Sequence, residues 1–178
     1  MKKKLLIVVD YQNDFVEGAL GFPQAVALEE PIAKKIKEYR ALGEGGQIIF
    51  TMDTHDSGYM ESVEGIFLPV PHCMEEQDGW DLYGAVAELK AEEDLVFCKP
   101  TFGSLELADY LRDKEEQYES VEFVGVVSNI CVLSNICVVK AAMPNVRQFV
   151  DRACIASNED DLNEAALKVM ESIHVQVI

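Results

Sequence analysis

The chain has 178 residues, 49% of them hydrophobic and 26% charged, with a formal net charge of −17 and a sequence pI of about 4.4. A chain of this length buries roughly 70% of its unfolded surface in one core, and this composition excludes bulk disorder. So large an acid excess repels phosphate backbones and anionic lipid, so neither nucleic acid nor a membrane is expected as a partner.

Lys2-Lys3-Lys4 followed by the apolar run 5–9 imitates a secretory leader, but Asp10 ends the run and no small-residue cleavage site follows. The run reads as a first strand. A crossover helix opens at Pro31, carries Ile32, Ile36 and Tyr39 on one face, and stops at Gly43, Gly45 and Gly46. Residues 47–52 make the second strand. The stretch 54–94 is rich in Gly, Pro and acids and has only a weak helical pattern near 81–90; connections this long are usually functional or mobile. Strands follow at 95–98, 121–127, 148–155 and 174–178. Between them lie helices at 104–111, 130–143 (ended by Pro144) and 160–173, the last with apolar Leu162, Ala165, Ala166, Val169 and Ile173. This alternation predicts an α/β fold in a single domain over residues 1–178: a doubly wound, mostly parallel sheet with helices on both faces. No apolar run approaches the ~20 residues needed to cross a bilayer. The five cysteines are odd in number and widely spaced, as expected of free thiols in a reducing cytoplasm.

Ligands of such a sheet bind at the carboxyl ends of its strands. Those ends carry Asp10 after the first strand, Asp53 and His55 after the second, Lys99 after the third and Cys131 after the fourth. A carboxylate, an ammonium and a thiol gathered there can make an activated nucleophile, because a thiol needs a base or a positive environment to ionise at neutral pH. Taken singly, each has an ordinary structural role as well. Ser-Asn-Ile-Cys occurs twice, at 128–131 and 134–137. Cys131 lies at a strand-to-helix junction, where free N–H groups and the positive helix end favour a thiolate. Cys137, rotated by about 240° and carried about 9 Å along the helix, is expected to be a packing residue. In the long connection, Asp53, His55, Glu64 and His72 suit a divalent ion such as Zn, Mn or Fe, and Glu61 is an equally good carboxylate by spacing.

Together, LLIVVDYQNDF (5–15), TMDTHD (51–56), PVPHC (69–73), FCKPTFGS (97–104), GVVSNICV (125–132) and VDRAC (150–154) resemble the nicotinamidase branch of the isochorismatase-like cysteine hydrolases across most of the chain. The resemblance implies a Rossmann-like sheet, a triad of Asp10, Lys99 and Cys131, and a divalent transition metal held by Asp53, His55 and His72, with Glu64 as an extra carboxylate. It implies a cis bond between Val126 and Val127, an oxyanion hole from the N–H groups of Val127 and Cys131, and Phe15 packed on the substrate. The family's aromatic residue before the Pro-x-His step is replaced by Pro69, leaving Phe67 as the candidate ring; Glu75-Glu76-Gln77-Asp78 replaces a usual Gly-Thr, and Ser128-Asn129 a frequent Thr-Asp. The implied activity is conversion of nicotinamide to nicotinate and ammonia through a thioester, in NAD salvage, without an organic cofactor, by a cytoplasmic protein that self-associates. The alternatives are a cysteine hydrolase of another small carboxamide or N-carbamoyl compound, or a non-catalytic metal- or thiol-binding relative.

Overall fold

The structure, a computed structural model, describes residues 2–178. Its strands are β1 (Lys3–Val9), β2 (Gly46–Asp53), β3 (Leu95–Lys99), β4 (Tyr118–Val126), β5 (Arg147–Ala156) and β6 (Val175–Val177). They form one sheet in the order β3-β2-β1-β4-β5-β6, and every pairing is parallel. β1 lies at the centre because its run from Leu5 to Val9 is apolar on both faces; all five residues are fully buried.

The helices are α1 (Asn13–Val16), α2 (Pro23–Val26), α3 (Glu29–Arg40), α4 (Val63–Phe67), α5 (Gly84–Leu89), α6 (Leu105–Leu111), α7 (Leu133–Ala142) and α8 (Asp160–Ser172). Leu6 and Val8 of β1 pack with Phe15, Ala25, Ile32, Ile36 and Val86, so α1–α3 and α5 cover one face. Leu5, Ile7 and Val9 pack with Leu107, Ile136, Val139, Leu167 and Met170, so α6–α8 cover the other. Helix α3 begins at Glu29, earlier than the expected start at Pro31; the proline sits in the first turn, where its missing N–H has no intrahelical partner to lose. Among the described residues, no helix is long and apolar enough to cross a membrane.

The sheet order reverses direction at β1, whose neighbours are β2 and β4. Chains leaving β1 and β4 diverge there, which opens a crevice at their carboxyl ends. The two strands approach closely at Gly125: a Cβ there would lie 2.0 Å from the Val9 carbonyl oxygen, and its φ of 115° belongs to glycine.

One charged network ties α3 to the sheet. Lys35 Nζ lies 2.8 Å from Glu122 Oε1 and 2.9 Å from Asp151 Oδ2, and the Tyr39 hydroxyl donates to Glu122 Oε2 at 2.7 Å. The Glu122 side chain is only 9% exposed, so removing its cation strands a buried charge. Lys35→Met is expected to lower the unfolding free energy by about 3 kcal/mol, measured by urea denaturation, and Glu122→Gln in that background to restore part of it. Equal stability of Lys35→Met and wild type would show that the network carries none of the fold.

Candidate active site

Asp10 follows β1 with a φ of 47°, and its N–H donates to the Thr51 carbonyl at 3.1 Å. Its Oδ1 accepts from the Thr51 hydroxyl at 2.7 Å. Its Oδ2 lies 2.6 Å from Lys99 Nζ. Lys99 ends β3 in register with Asp53 at the end of β2, and its Nζ reaches Asp53 Oδ1 at 3.2 Å and Cys131 Sγ at 3.7 Å. Asp10, Lys99 and Cys131 are all buried.

Burial pushes the Asp10 carboxyl above its ordinary value against the opposing pull of Lys99. The Cys131 thiol is pushed well up, by burial first, with Lys99 opposing. Burial alone would weaken the Lys99 ammonium, but Asp10, Cys131 and Asp53 together hold it above its ordinary range. Burial therefore opposes charge on the carboxyl and on the thiol alike, and Lys99, in contact with both residues, is the group that favours it.

Next to it, one ligand atom each from Asp53, His55, Glu64 and His72 lie within 4.8 Å of one another. Asp53 Oδ2 is 2.9 Å from His55 Nε2 and 3.3 Å from His72 Nε2; Glu64 Oε1 is 3.9 Å and 3.6 Å from the same two nitrogens. A tetrahedral ion with bonds of about 2.0–2.2 Å separates its ligand atoms by about 3.3–3.6 Å, a range that the observed 2.9–3.9 Å brackets, and two imidazoles with two carboxylates suit a divalent ion. His72 Nδ1 is 2.8 Å from the Val70 carbonyl, a bond that places the proton on Nδ1 and frees Nε2 as a ligand. Burial would raise the Asp53 carboxyl, yet the neighbouring imidazoles of His55 and His72 and the charge of Lys99 hold it well below the usual range. Glu61 stands exposed in the turn Tyr59–Glu61, outside this group.

A cavity of about 230 Å³ opens onto both centres, walled by Cys131, Val127, Asp53, Glu64 and His72 and by the apolar Phe15, Phe22, Leu68 and Phe102. That is smaller than the ~300–1,000 Å³ of drug-sized pockets. A larger depression of about 540 Å³ lies at the amino ends of β1 and β2. Among its polar groups Arg40 grips Asp94, and Gln47 bonds Tyr110 and Tyr118.

The Val126–Val127 peptide is cis, and Phe15 reaches the cavity beside His72, with ring centroids 5.5 Å apart. Phe67 does not. It is 86% exposed, and Leu68 lines the cavity instead. Phe67 is the last residue of α4 and Leu68 the cap at which the chain leaves the helix, with φ −126° and ψ 82°; the Leu68 carbonyl accepts from the Tyr59 hydroxyl at 2.7 Å. Cys137 also departs from expectation, since it is exposed. The α-helix begins only at Leu133, after a π turn over Ser128–Val132, and the wider turn rotates the later residues relative to a helix counted from Ile130.

An isochorismatase domain model matches residues 4–178. The chain belongs to the isochorismatase family. It is 31% identical over 98% of both chains to the uncharacterized isochorismatase family protein PncA of Bacillus subtilis (strain 168). Its fold superposes on the pyrazinamidase/nicotinamidase of Streptococcus mutans UA159 with a TM-score of 0.84 at 28% identity, covering 99% of this chain and 100% of that one. The pyrazinamidase of Pyrococcus horikoshii, solved in complex with zinc, shares the fold at a TM-score of 0.81 and 21% identity, over 99% of this chain and 98% of that one.

Sequence reasoning passed over several residues of this family member's site. Gln12 clamps the Asp53 backbone from both sides: its Nε2 donates to the Asp53 carbonyl at 2.9 Å and its Oε1 accepts from the Asp53 N–H at 2.7 Å. An amide two residues beyond Asp10, just past the apolar run 5–9, was the available signal. Leu20, Phe22, Phe102, Ile130 and Asn158 reach the cavity from four separate segments, with no periodicity to join them. Because Lys99 offsets two buried carboxylates, Lys99→Met is expected to cost about 3–5 kcal/mol of stability, whereas Cys131→Ala should stay within about 1 kcal/mol of wild type. Chemical denaturation of the two variants reads the difference, and equal losses would contradict the assignment of the buried cation.

Proposed function

We propose that this protein is a metal-assisted cysteine amidohydrolase that converts nicotinamide to nicotinate and ammonia, acting in the cytoplasm in NAD salvage. The observation that carries the reading is the contact of Asp10, Lys99 and Cys131 at the wall of a small, largely apolar cavity that also exposes Asp53, Glu64 and His72. The pyrazinamidase/nicotinamidase of Streptococcus mutans supports it through the shared fold and 28% identity.

Asp10 takes the thiol proton and Cys131 Sγ attacks the amide carbon. The transfer moves negative charge from Asp10 to sulfur inside one buried site, and Lys99 touches both atoms, so the net charge out of water does not change. The N–H groups of Val127 and Cys131 serve the tetrahedral oxyanion. Asp10 then protonates the leaving nitrogen, ammonia departs, and a thioester remains on Cys131. Water, deprotonated by the same carboxylate, attacks the thioester carbon; the carboxylic acid leaves and the thiol recovers its proton. Phe15 and Phe22 supply apolar walls for a flat ring. Asp53, His55, Glu64 and His72 would hold the ion, which supplies a Lewis acid for a ring nitrogen when bound.

An N-carbamoyl amino acid is a poorer fit, because its carboxylate would meet Asp53 and Glu64 and no Lys or Arg lines the cavity. Ammonia release from nicotinamide, compared with an N-carbamoyl amino acid, tests the choice. Cys131→Ala is expected to abolish release with the fold intact, and Cys137→Ala to retain most of it; turnover by Cys131→Ala would remove the covalent mechanism. A protein that releases no ammonia from any small amide would be a binding member of the family.

Removal of the ion should impair substrate binding more than thiol chemistry. The purified protein is expected to carry about one divalent ion per chain, and His72→Ala to raise KM for nicotinamide while Cys131 still reacts with an alkylating reagent. Benzamide lacks the ring nitrogen and should respond little to chelation. Equal responses of the two amides, or full activity without metal, would contradict this role.

A further inference from the structure

The second copy of Ser-Asn-Ile-Cys, residues 134–137, takes no part in the chemistry above. Ile136 joins the core and Cys137 faces outward. Asn135 is different. It is fully buried in the first turn of α7, where an amide side chain is costly unless every polar atom finds a partner.

Its partners are backbone groups of two separate segments. Asn135 Oδ1 accepts from the Ser104 N–H at 3.0 Å. Its Nδ2 donates to the Phe102 carbonyl at 3.1 Å and to the Cys131 carbonyl at 2.9 Å. One amide therefore spans the segment that leaves Lys99 and the π turn that carries Cys131. These segments come from different strands, and they bear the two groups that must stay 3.7 Å apart, Lys99 Nζ and Cys131 Sγ. Phe102, whose carbonyl is gripped, also lines the cavity although its residue is 41% exposed. The Ser104 hydroxyl caps α6 by accepting from the Leu107 N–H, so the same grip fixes where α6 starts.

We infer that Asn135 is a positioning residue: it sets the Cys131 backbone so that Sγ faces Lys99 and Asp10, and it holds the 100–104 segment with Phe102 at the cavity wall. The inference rests on the amidohydrolase reading for its effect on turnover. Its geometric part concerns the thiol and the loop alone. Displacement of a nucleophile by a fraction of an ångström is enough to slow attack substantially.

Asn135→Asp and Asn135→Leu separate the donor bonds of the clamp from its acceptor bond. The aspartate keeps an acceptor for Ser104 N–H but loses both donors and sets a negative charge against two carbonyl oxygens; the leucine loses all three bonds. Three quantities are measured on the full chain: the rate of Cys131 alkylation by iodoacetamide, followed on its peptide by mass spectrometry; kcat and KM for nicotinamide; and hydrogen exchange at the Ser104 amide. Both variants should lower kcat and Cys131 alkylation by about tenfold or more. Both should raise KM, since each loses the bond to the Phe102 carbonyl, and only Asn135→Leu should expose the Ser104 amide to exchange.

Cys137, exposed on the same helix, and the buried Cys73 and Cys154 are internal controls. Their labelling should stay at the wild-type rate. Wild-type alkylation of Cys131 in both variants would overturn the inference, as would labelling of Cys73 and Cys154 that changes in step with Cys131, the mark of general loosening. If Asn135→Leu does not fold, the isosteric Asn135→Asp decides by the alkylation rate, kcat and KM. If wild type releases no ammonia from nicotinamide, the functional reading fails while alkylation and exchange still judge the clamp.

Discussion

The buried ammonium of Lys99 is the point on which the two centres of this molecule depend. It lies 2.6 Å from Asp10 and 3.2 Å from Asp53, and 3.7 Å from the sulfur of Cys131. Without it, two carboxylates would be held out of water at close range, an arrangement that costs several kcal/mol per uncompensated charge. Its position follows from the sheet. β3 is the strand beyond β2, the register pairs Lys99 with Asp53, and the reversal of strand order at β1 brings Asp10 and the turn after β4 to the same crevice.

Asp53 divides its two oxygens between neighbours. Oδ1 faces Lys99 and Oδ2 faces His55 and His72. The thiol centre and the donor group are thus joined through one carboxylate, whose backbone Gln12 grips from both sides. A site made in this way has little freedom, because moving any strand end disturbs charges that only the others can balance. The surrounding walls are simpler. Phe15, Phe22, Leu68 and Phe102 present no cation to an anionic ligand, a wall that favours an uncharged one.

Phe67 and Cys137 show where reasoning along the chain reaches its limit. Cys137 was placed by counting along a regular helix from Cys131, and Phe67 was the next aromatic residue back from the Pro-x-His step. A helix exit at Leu68 and a π turn at Ser128–Val132 intervene, and both side chains face outward. Asn135 is the opposite case. It lies in the second copy of Ser-Asn-Ile-Cys, and its three backbone bonds exist only because the loop after β3 crosses the start of α7.

The α/β class, all six strands and the longer helices were legible in the residue order, because burial on both faces gives continuous apolar runs and helix crossing gives a 3.6-residue period. So were Asp10, Asp53, His55, Lys99, Cys131 and His72, since ligands of such sheets gather at strand ends and each of these stands at one or in the loop beyond. The choice of Glu64 over Glu61, the inward turn of Leu68, the wall made by Leu20, Phe22, Phe102, Ile130 and Asn158, and the clamps of Gln12 and Asn135 required the folded chain. They depend on which irregular segments meet, and irregular backbone leaves no period in a sequence from which its direction could be read.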